Sequence, residues 1–137
     1  MHKFLSHTAD VKVEVIEDTI TQAFKESAFA LKESIAPHIH IKLKKEKQIK
    51  IGGEDLKALL YNFLEEFLYL LDAEDFLLGD IQALNIDKKD LTLTALIVGD
   101  TASKYEFTND VKAITYSDMI VEQTQDKKFK IQFVLDV

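Results

Sequence analysis

The sequence predicts an α+β fold: a single-domain sandwich in which a mainly antiparallel (mixed) β-sheet carries two α-helices packed on one side. Apolar residues recur at helical spacing in two separate segments, which predicts the helices. Most of the remaining chain alternates between apolar and polar residues and is divided by short polar turns. That alternation is typical of antiparallel strands with one buried face.

The composition favours one domain over residues 1–137, since 47% of the residues are hydrophobic and 30% are charged. With 24 acidic and 17 basic side chains the formal charge is -7, so the chain repels phosphate backbones unless its basic residues gather on one face. The absence of cysteine excludes disulfides, thiolate metal sites and a cysteine nucleophile. No apolar segment suits an export signal or a bilayer span, which predicts a cytoplasmic protein without a membrane partner.

The first half of the sequence predicts a strand, a helix and a further extended segment. Residues 10–16 alternate valines with charged residues, the period of a half-buried strand. Thr19 offers an N-cap oxygen, Gln22 completes a capping-box pattern, and Pro37 helps to end the helix that follows. Residues 39–51 alternate again and predict one long strand or a hairpin.

The second helix is predicted by a wide apolar stripe from Leu56 to Leu71, with Glu54 and Asp55 at the end that the helix dipole favours for acids. The rest of the chain reads as strands at 76–78, 81–86, 91–98, 104–107, 111–122 and 129–137, with turns at 87–90 and 125–128.

Three polar segments interrupt these apolar stretches: His7-Thr8-Ala9-Asp10, Lys112 and Asp136. Taken singly, Asp136 could face water at the end of its strand, and Asp10 could cap or turn the backbone. If the strands that carry the two acids are neighbours, two carboxylates and a C-terminal main-chain oxygen converge. Such an all-oxygen cluster suits a hard cation such as Ca²⁺ or Mg²⁺. Lys112 lies near this site only if its strand is also adjacent.

The chain resembles the archeases over nearly its whole length, and the matching segments occur in the expected order. They are His7-Thr8-Ala9-Asp10-Val11, residues 18–24, 53–60 and 63–69, Val111-Lys112-Ala113-Ile114-Thr115-Tyr116 and residues 133–137. The His-Thr-Ala-Asp start and the Val-Lys-Ala-Ile-Thr-Tyr block are the most specific of these. The sequence departs from the family pattern at Lys12 and Glu17, where many relatives have glycine, and near Tyr105, where a histidine is often found.

The resemblance implies an accessory protein, not an enzyme, that promotes the guanylylation and multiple turnover of the RtcB-type tRNA-splicing RNA ligase. It implies that Asp10, Asp136 and an oxygen of Val137 hold a divalent metal, with Ca²⁺ in first place and Mg²⁺ or Mn²⁺ as alternatives. It makes Lys112 the functionally important lysine. RNA is then expected to be contacted only through the ligase, and a monomer is favoured.

Two other classes of function stay open at this stage. A small metal-dependent hydrolase acting alone could use His7 as a general base. A chaperone-like modulator of an RNA-modifying enzyme is the other alternative. The lysine-rich run at residues 42–47 could approach RNA, although lysines that guard a solvated strand edge explain it as well. His38 and His40 are expected to be a solvated pair rather than metal ligands.

Overall fold

The computed structural model of the chain describes residues 1–5 and 10–137. These residues form seven strands, two α-helices and one single-turn 3-10 helix. In chain order they are β1 (His2–Leu5), β2 (Asp10–Glu17), α1 (Ile20–Ile35), β3 (Lys45–Gly52), α2 (Leu56–Glu74), β4 (Phe76–Asp87), β5 (Thr92–Thr101), the 3-10 turn (Ala102–Lys104), β6 (Ala113–Gln123) and β7 (Phe129–Asp136). The predicted α+β class is confirmed.

Both helices begin where side-chain caps satisfy their first main-chain N–H groups. The Thr19 hydroxyl accepts a hydrogen bond from the Gln22 N–H at 3.1 Å, as the capping-box pattern predicts. At α2 the Asp55 carboxylate accepts from the Ala58 N–H at 2.7 Å. This helix continues past the predicted end at Leu71 and stops at Asp75, whose left-handed backbone (φ 53°) closes its last turn.

The strands divide into two sheets, with the orders β1-β2-β7-β6 and β3-β5-β4, and every pairing in the described part of the chain is antiparallel. Both helices contact strands of both sheets, so their wide apolar surfaces are covered from two directions. Phe24 of α1 and Phe63 of α2 join the helices at a ring-centroid distance of 5.9 Å, and both are fully buried. The helices therefore supply the core that connects the two sheets.

The predicted strand at residues 104–107 is wrong. The chain turns there, because the Tyr105 N–H donates to the Ala102 main-chain oxygen at 3.0 Å. Asp75, just after α2, fixes the start of this turn: its main-chain oxygen accepts from the Ala102 N–H, and its carboxylate accepts from the Ser103 N–H at 3.0 Å. The Tyr105 N–H, which a strand would have given to a neighbouring strand, is thus used locally, and the two residues that begin the turn are held by the helix end.

The extended segment at residues 39–51 is a strand only over Lys45–Gly52. Before it, the Lys42 N–H donates to the Tyr105 hydroxyl instead of to a strand. The predicted strands at 76–78 and 81–86 are one strand, β4, with irregular register beside Gly79 and beside Gln82. Strand β1 was not predicted. Helices α1 and α2 are both too short or too polar to cross a membrane.

Candidate functional site

Strand β7 lies between β2 and β6, so the three strands that carry the predicted site residues are neighbours. Asp10, the first residue of β2, is directly opposite Asp136, the last residue of β7. On its other side Asp136 is paired with Ala113, the first residue of β6 and the residue after Lys112. The two acids and the lysine block therefore meet at one end of the four-stranded sheet.

The core fixes this arrangement. Val11, Val13 and Val15 of β2 are paired with Leu135, Phe133 and Ile131 of β7, and these residues face the helices. A slip of one residue would turn every one of these side chains to the opposite face of the sheet, so the register is strongly specified. The pairing of Asp10 with Asp136 follows from it, one residue beyond the apolar set.

The two carboxylates lie on the same, outer face of the sheet, because side chains of directly paired residues share a face. Their Cβ atoms are expected about 4.5–5.5 Å apart, and like charges in such a pair destabilise the sheet. Asp136 is exposed and Asp10 is partly exposed. A positive charge between or beside the two acids would relieve the repulsion.

Lys112 is attached to the same site through its backbone. Its main-chain N–H donates to the main-chain oxygen of Asp136 at 2.7 Å. Val111 and Ile114 both belong to the core although they are three residues apart, so strand alternation is broken between them. This break leaves the Lys112 side chain exposed.

The donor set is compatible with a hard divalent cation, which prefers carboxylate and carbonyl oxygens. Val137 follows Asp136 directly, so its main-chain oxygen is close in sequence to the paired acids. The residue is 39% exposed. Two carboxylates do not complete a coordination shell, and residues 1–5 and 10–137 contain no cluster of three or more His, Asp or Glu side chains arranged for a metal. Water or a partner's groups would have to supply the remaining ligands.

Among the described residues, two sequence-predicted histidines, His38 and His40, take no part in this strand pairing. His7, with Thr8 and Ala9, lies outside the described residues. His38 and His40 are both exposed. His38 adopts a left-handed backbone (φ 59°), and its ring is 3.4 Å from the Glu33 carboxylate, which also accepts the His38 main-chain N–H at 3.0 Å. His38 is therefore placed in a turn after α1, where it interacts with an acid, and His40 follows that turn.

Sequence reasoning missed a second polar centre, built on Asp100 at the end of β5. Asp100 is only 2% exposed. Its carboxylate accepts from the Tyr105 hydroxyl at 2.7 Å and from the Thr101 N–H at 2.8 Å. The hydrogen bond from Tyr105, and after it the one from Thr101, hold the pKa of Asp100 below its ordinary value.

Tyr105 connects this carboxylate to a separate segment of chain. Its hydroxyl donates to Asp100 and accepts from the Lys42 main-chain N–H at 3.0 Å. The Lys42 N–H works to lower the pKa of Tyr105, but burial and the Asp100 carboxylate together outweigh it, so the pKa is raised. No local signal in the sequence marks this centre, because Lys42, Asp100 and Tyr105 meet only in the fold.

Fold and site together define a class of protein: an α+β sandwich of two antiparallel sheets joined by two helices, with paired acids at one sheet end. Comparison with known proteins gives the family. Residues 2–137 match the model of the Archease protein family (MTH1598/TM1083). The chain therefore belongs to the archease family.

Individual relatives agree with this assignment. The chain is 40% identical to protein archease of Pyrococcus furiosus over 135 residues, which cover 96% of this chain and 94% of the relative. It is 36% identical to protein archease of Thermococcus kodakarensis, with the same coverage. The solution structure of Methanobacterium thermoautotrophicum protein 1598 superposes with a TM-score of 0.83 at 27% identity, covering 99% of this chain and 98% of that one.

Proposed function

We propose that this protein is a cytoplasmic accessory protein that activates an RtcB-type tRNA-splicing RNA ligase, promoting its guanylylation and multiple turnover. One observation carries the proposal. In a member of the archease family, Asp10 and Asp136 are paired on neighbouring strands and Lys112 is hydrogen-bonded to the same position. We call these three residues, with Val137, the acidic tip.

The acidic tip holds a divalent cation through the carboxylates of Asp10 and Asp136 and a main-chain oxygen of Val137. Ca²⁺ is the first candidate, with Mg²⁺ or Mn²⁺ as alternatives. When bound, the cation supplies concentrated positive charge for phosphate oxygens of the ligase reaction. The antiparallel register keeps the two carboxylates at a fixed spacing, so the tip is preorganised before it meets a partner.

Lys112 contributes a second positive charge on a flexible stem. Because its side chain is exposed, its ammonium group can contact a phosphate or carboxylate that belongs to the partner. Its main-chain bond to Asp136 keeps its Cα beside the acids while the ammonium group moves. The formal charge of -7 favours docking on the basic surface expected of an RNA-binding enzyme.

The test is a multiple-turnover ligation assay in which the RNA is in large excess over the ligase. Asp10→Asn, Asp136→Asn and Lys112→Gln are expected to lose about tenfold or more of the stimulation. Asp90→Asn and Lys89→Gln are the matched controls, since they make the same charge changes in an exposed turn. Formation of the ligase–guanylate adduct is followed in parallel.

Folded tip variants that support wild-type turnover would rule the proposal out. Incubation of the isolated protein with metal, nucleotides and phosphoesters separates it from the hydrolase alternative. The accessory proposal predicts no turnover without ligase, whereas turnover by the isolated chain would favour an enzyme of its own.

A further inference from the structure

A hollow of about 450 Å³ opens beside the buried Asp100, between the end of β5 and the segment before β3. We call it the lysine hollow. Its lining residues are Lys42, Lys44, Lys45, Asp100, Lys104 and Tyr105. Three of the lysines come from the run that precedes or opens β3, and the fourth comes from the 3-10 turn after β5.

The lysine hollow is positive on a chain that is negative overall. Its four lysines and one aspartate give a local formal charge of +3 (four minus one), against -7 for the whole protein. Lys104 lies 3.8 Å from the Asp100 carboxylate and keeps 63% of its side chain exposed. Within the described part of the chain this is the only ion pair of the four lysines. Lys47, the next lysine along β3, bonds to Glu74 at 2.6 Å and is not part of the hollow.

The backbone that carries these lysines is held in place. The Lys44 N–H donates to the Gly99 main-chain oxygen at 2.8 Å, and the Lys42 N–H donates to the Tyr105 hydroxyl at 3.0 Å. Tyr105 is fixed in turn by the buried Asp100 carboxylate. A buried charge is costly unless it is hydrogen-bonded, so this network keeps the segment against β5. The lysines are therefore gathered by the fold.

We infer that the lysine hollow binds the phosphate backbone of single-stranded RNA. The Tyr105 hydroxyl and the two main-chain N–H groups are already engaged inside the protein, so the donors left for a ligand are ammonium groups. Such groups recognise charge and not side-chain shape or base sequence. A phosphate chain presents charged acceptors only, whereas an acidic peptide also presents main-chain N–H donors that ammonium groups cannot accept.

The choice of RNA over DNA rests on the proposed function, whereas the binding of a phosphate backbone does not. The inference departs from the sequence-based expectation that RNA is contacted only through the ligase. Lys112 of the acidic tip is seven positions after Tyr105, so their Cα atoms lie within about 25 Å of each other. A strand of RNA a few nucleotides longer than the hollow could therefore reach the tip.

The experiment measures binding of a fluorescently labelled, mixed-sequence 20-nucleotide RNA to the full chain by anisotropy, without ligase, over a series of salt concentrations. The test variant replaces Lys42, Lys44 and Lys45 by glutamine. The control variant replaces the exposed Lys50, Lys89 and Lys127 by glutamine, which gives the same total charge. Circular dichroism melting establishes that both variants are folded.

We expect wild-type affinity to fall linearly on a logarithmic plot against salt. The test variant should bind at least about tenfold more weakly at low salt, with a slope smaller by about 2, since each lost phosphate contact of a single strand removes about 0.7. The control variant should keep most of the affinity and the slope. Equal losses in the two variants, no binding by the wild type at low salt, or tighter binding of a poly-glutamate competitor than of RNA would each overturn the inference. The assay contains no ligase, so its result is separate from that of the turnover assay.

Discussion

A β-carbon added to Gly99 of β5 would lie 2.0 Å from the main-chain oxygen of Leu77 in the neighbouring strand β4. That distance is far below van der Waals contact, and the atom it meets is backbone, which cannot rotate away. The two strands can approach this closely only because residue 99 has no side chain. The backbone freedom of glycine is not needed here. Gly99 also accepts the Lys44 N–H, so the same contact positions the lysine hollow.

Gly99→Ala is therefore expected to lower the free energy of unfolding by about 3 kcal/mol, and the melting temperature by roughly 10 °C. Gly52→Ala is the matched control, because the nearest atom to its added β-carbon is 4.0 Å away. It should change stability by less than about 0.5 kcal/mol. Thermal melts of the two variants check the prediction, and equal melting temperatures would contradict it.

Two adjacent acids at the start of α2 allow the stabilising effect of a capping hydrogen bond to be measured separately from that of a favourable charge. Asp55→Ala removes the acceptor of the Ala58 N–H and should destabilise the protein by about 1 kcal/mol. Glu54→Ala removes an acid one residue before the cap. Glu54 can interact favourably with the helix dipole but is not the cap, so its loss should cost a few tenths of that amount. Urea unfolding of both variants distinguishes the two effects. Equal costs would show that charge alone stabilises this helix end.

The Asp100 carboxylate makes stability depend on acid pH. Its pKa is lowered by folding, so its contribution is present above the unfolded value near 3.8 and is lost as the pH falls through the lower folded value. Tyr105→Phe removes the main cause of the lowered pKa, so the folded pKa moves back toward the unfolded value and the variant should lose less stability on acidification than the wild type. The melting temperature at neutral pH should also fall by on the order of 5 °C, since a buried acceptor loses its donor.

Urea midpoints measured between about pH 5 and pH 2 test this expectation. Lys104→Gln is the control, because its ammonium group is a lesser cause of the lowered pKa and is mostly exposed. An acid profile in Tyr105→Phe that superposes on the wild type would mean that the hydroxyl does not stabilise the carboxylate.

The acidic tip should bind a divalent metal directly. Calorimetric titration with Ca²⁺, Mg²⁺ and Mn²⁺ is expected to show saturable binding by the wild type, weakened about tenfold or more in Asp10→Asn and Asp136→Asn. Asp90→Asn should bind like the wild type. If neutralising one acid of the pair instead raises the melting temperature without changing metal affinity, the two carboxylates only repel each other and hold no cation.

The sequence predicted those elements whose signals are local. Both helices, the cap at Thr19 and strand β2 follow from spacing and end residues within a few positions, whereas Asp55 was predicted only as an acid favoured by the helix dipole. The strand predicted at 104–107 was wrong because the Tyr105 N–H closes a turn on Ala102, and that turn is held from outside the segment by Asp75, at the end of α2. Periodicity indicates which face of a segment is apolar but not which backbone it meets.

The candidate site, too, could be predicted from the sequence only in part. The valines of β2 and the apolar residues of β7 predicted two half-buried strands ending in Asp10 and Asp136, and only the register shows that these ends are opposite each other. The Asp100–Tyr105 pair could not be predicted, since an acid after an apolar strand and a tyrosine in a turn are individually ordinary. The two residues form a polar centre only because the fold buries Asp100 and brings the Lys42 N–H to the Tyr105 hydroxyl.

The central position of β7 has a consequence for the timing of folding. Strands β2 and β6 are not neighbours in the sheet and are joined through β7, which follows both of them in the chain. Asp10 precedes both helices and Asp136 follows them, so during synthesis Asp10 has no Asp136 opposite it until the elements between them have been made. A nascent chain that still lacks β7 therefore cannot display the paired acids, and any partner would encounter them only on a protein whose four-stranded sheet is finished.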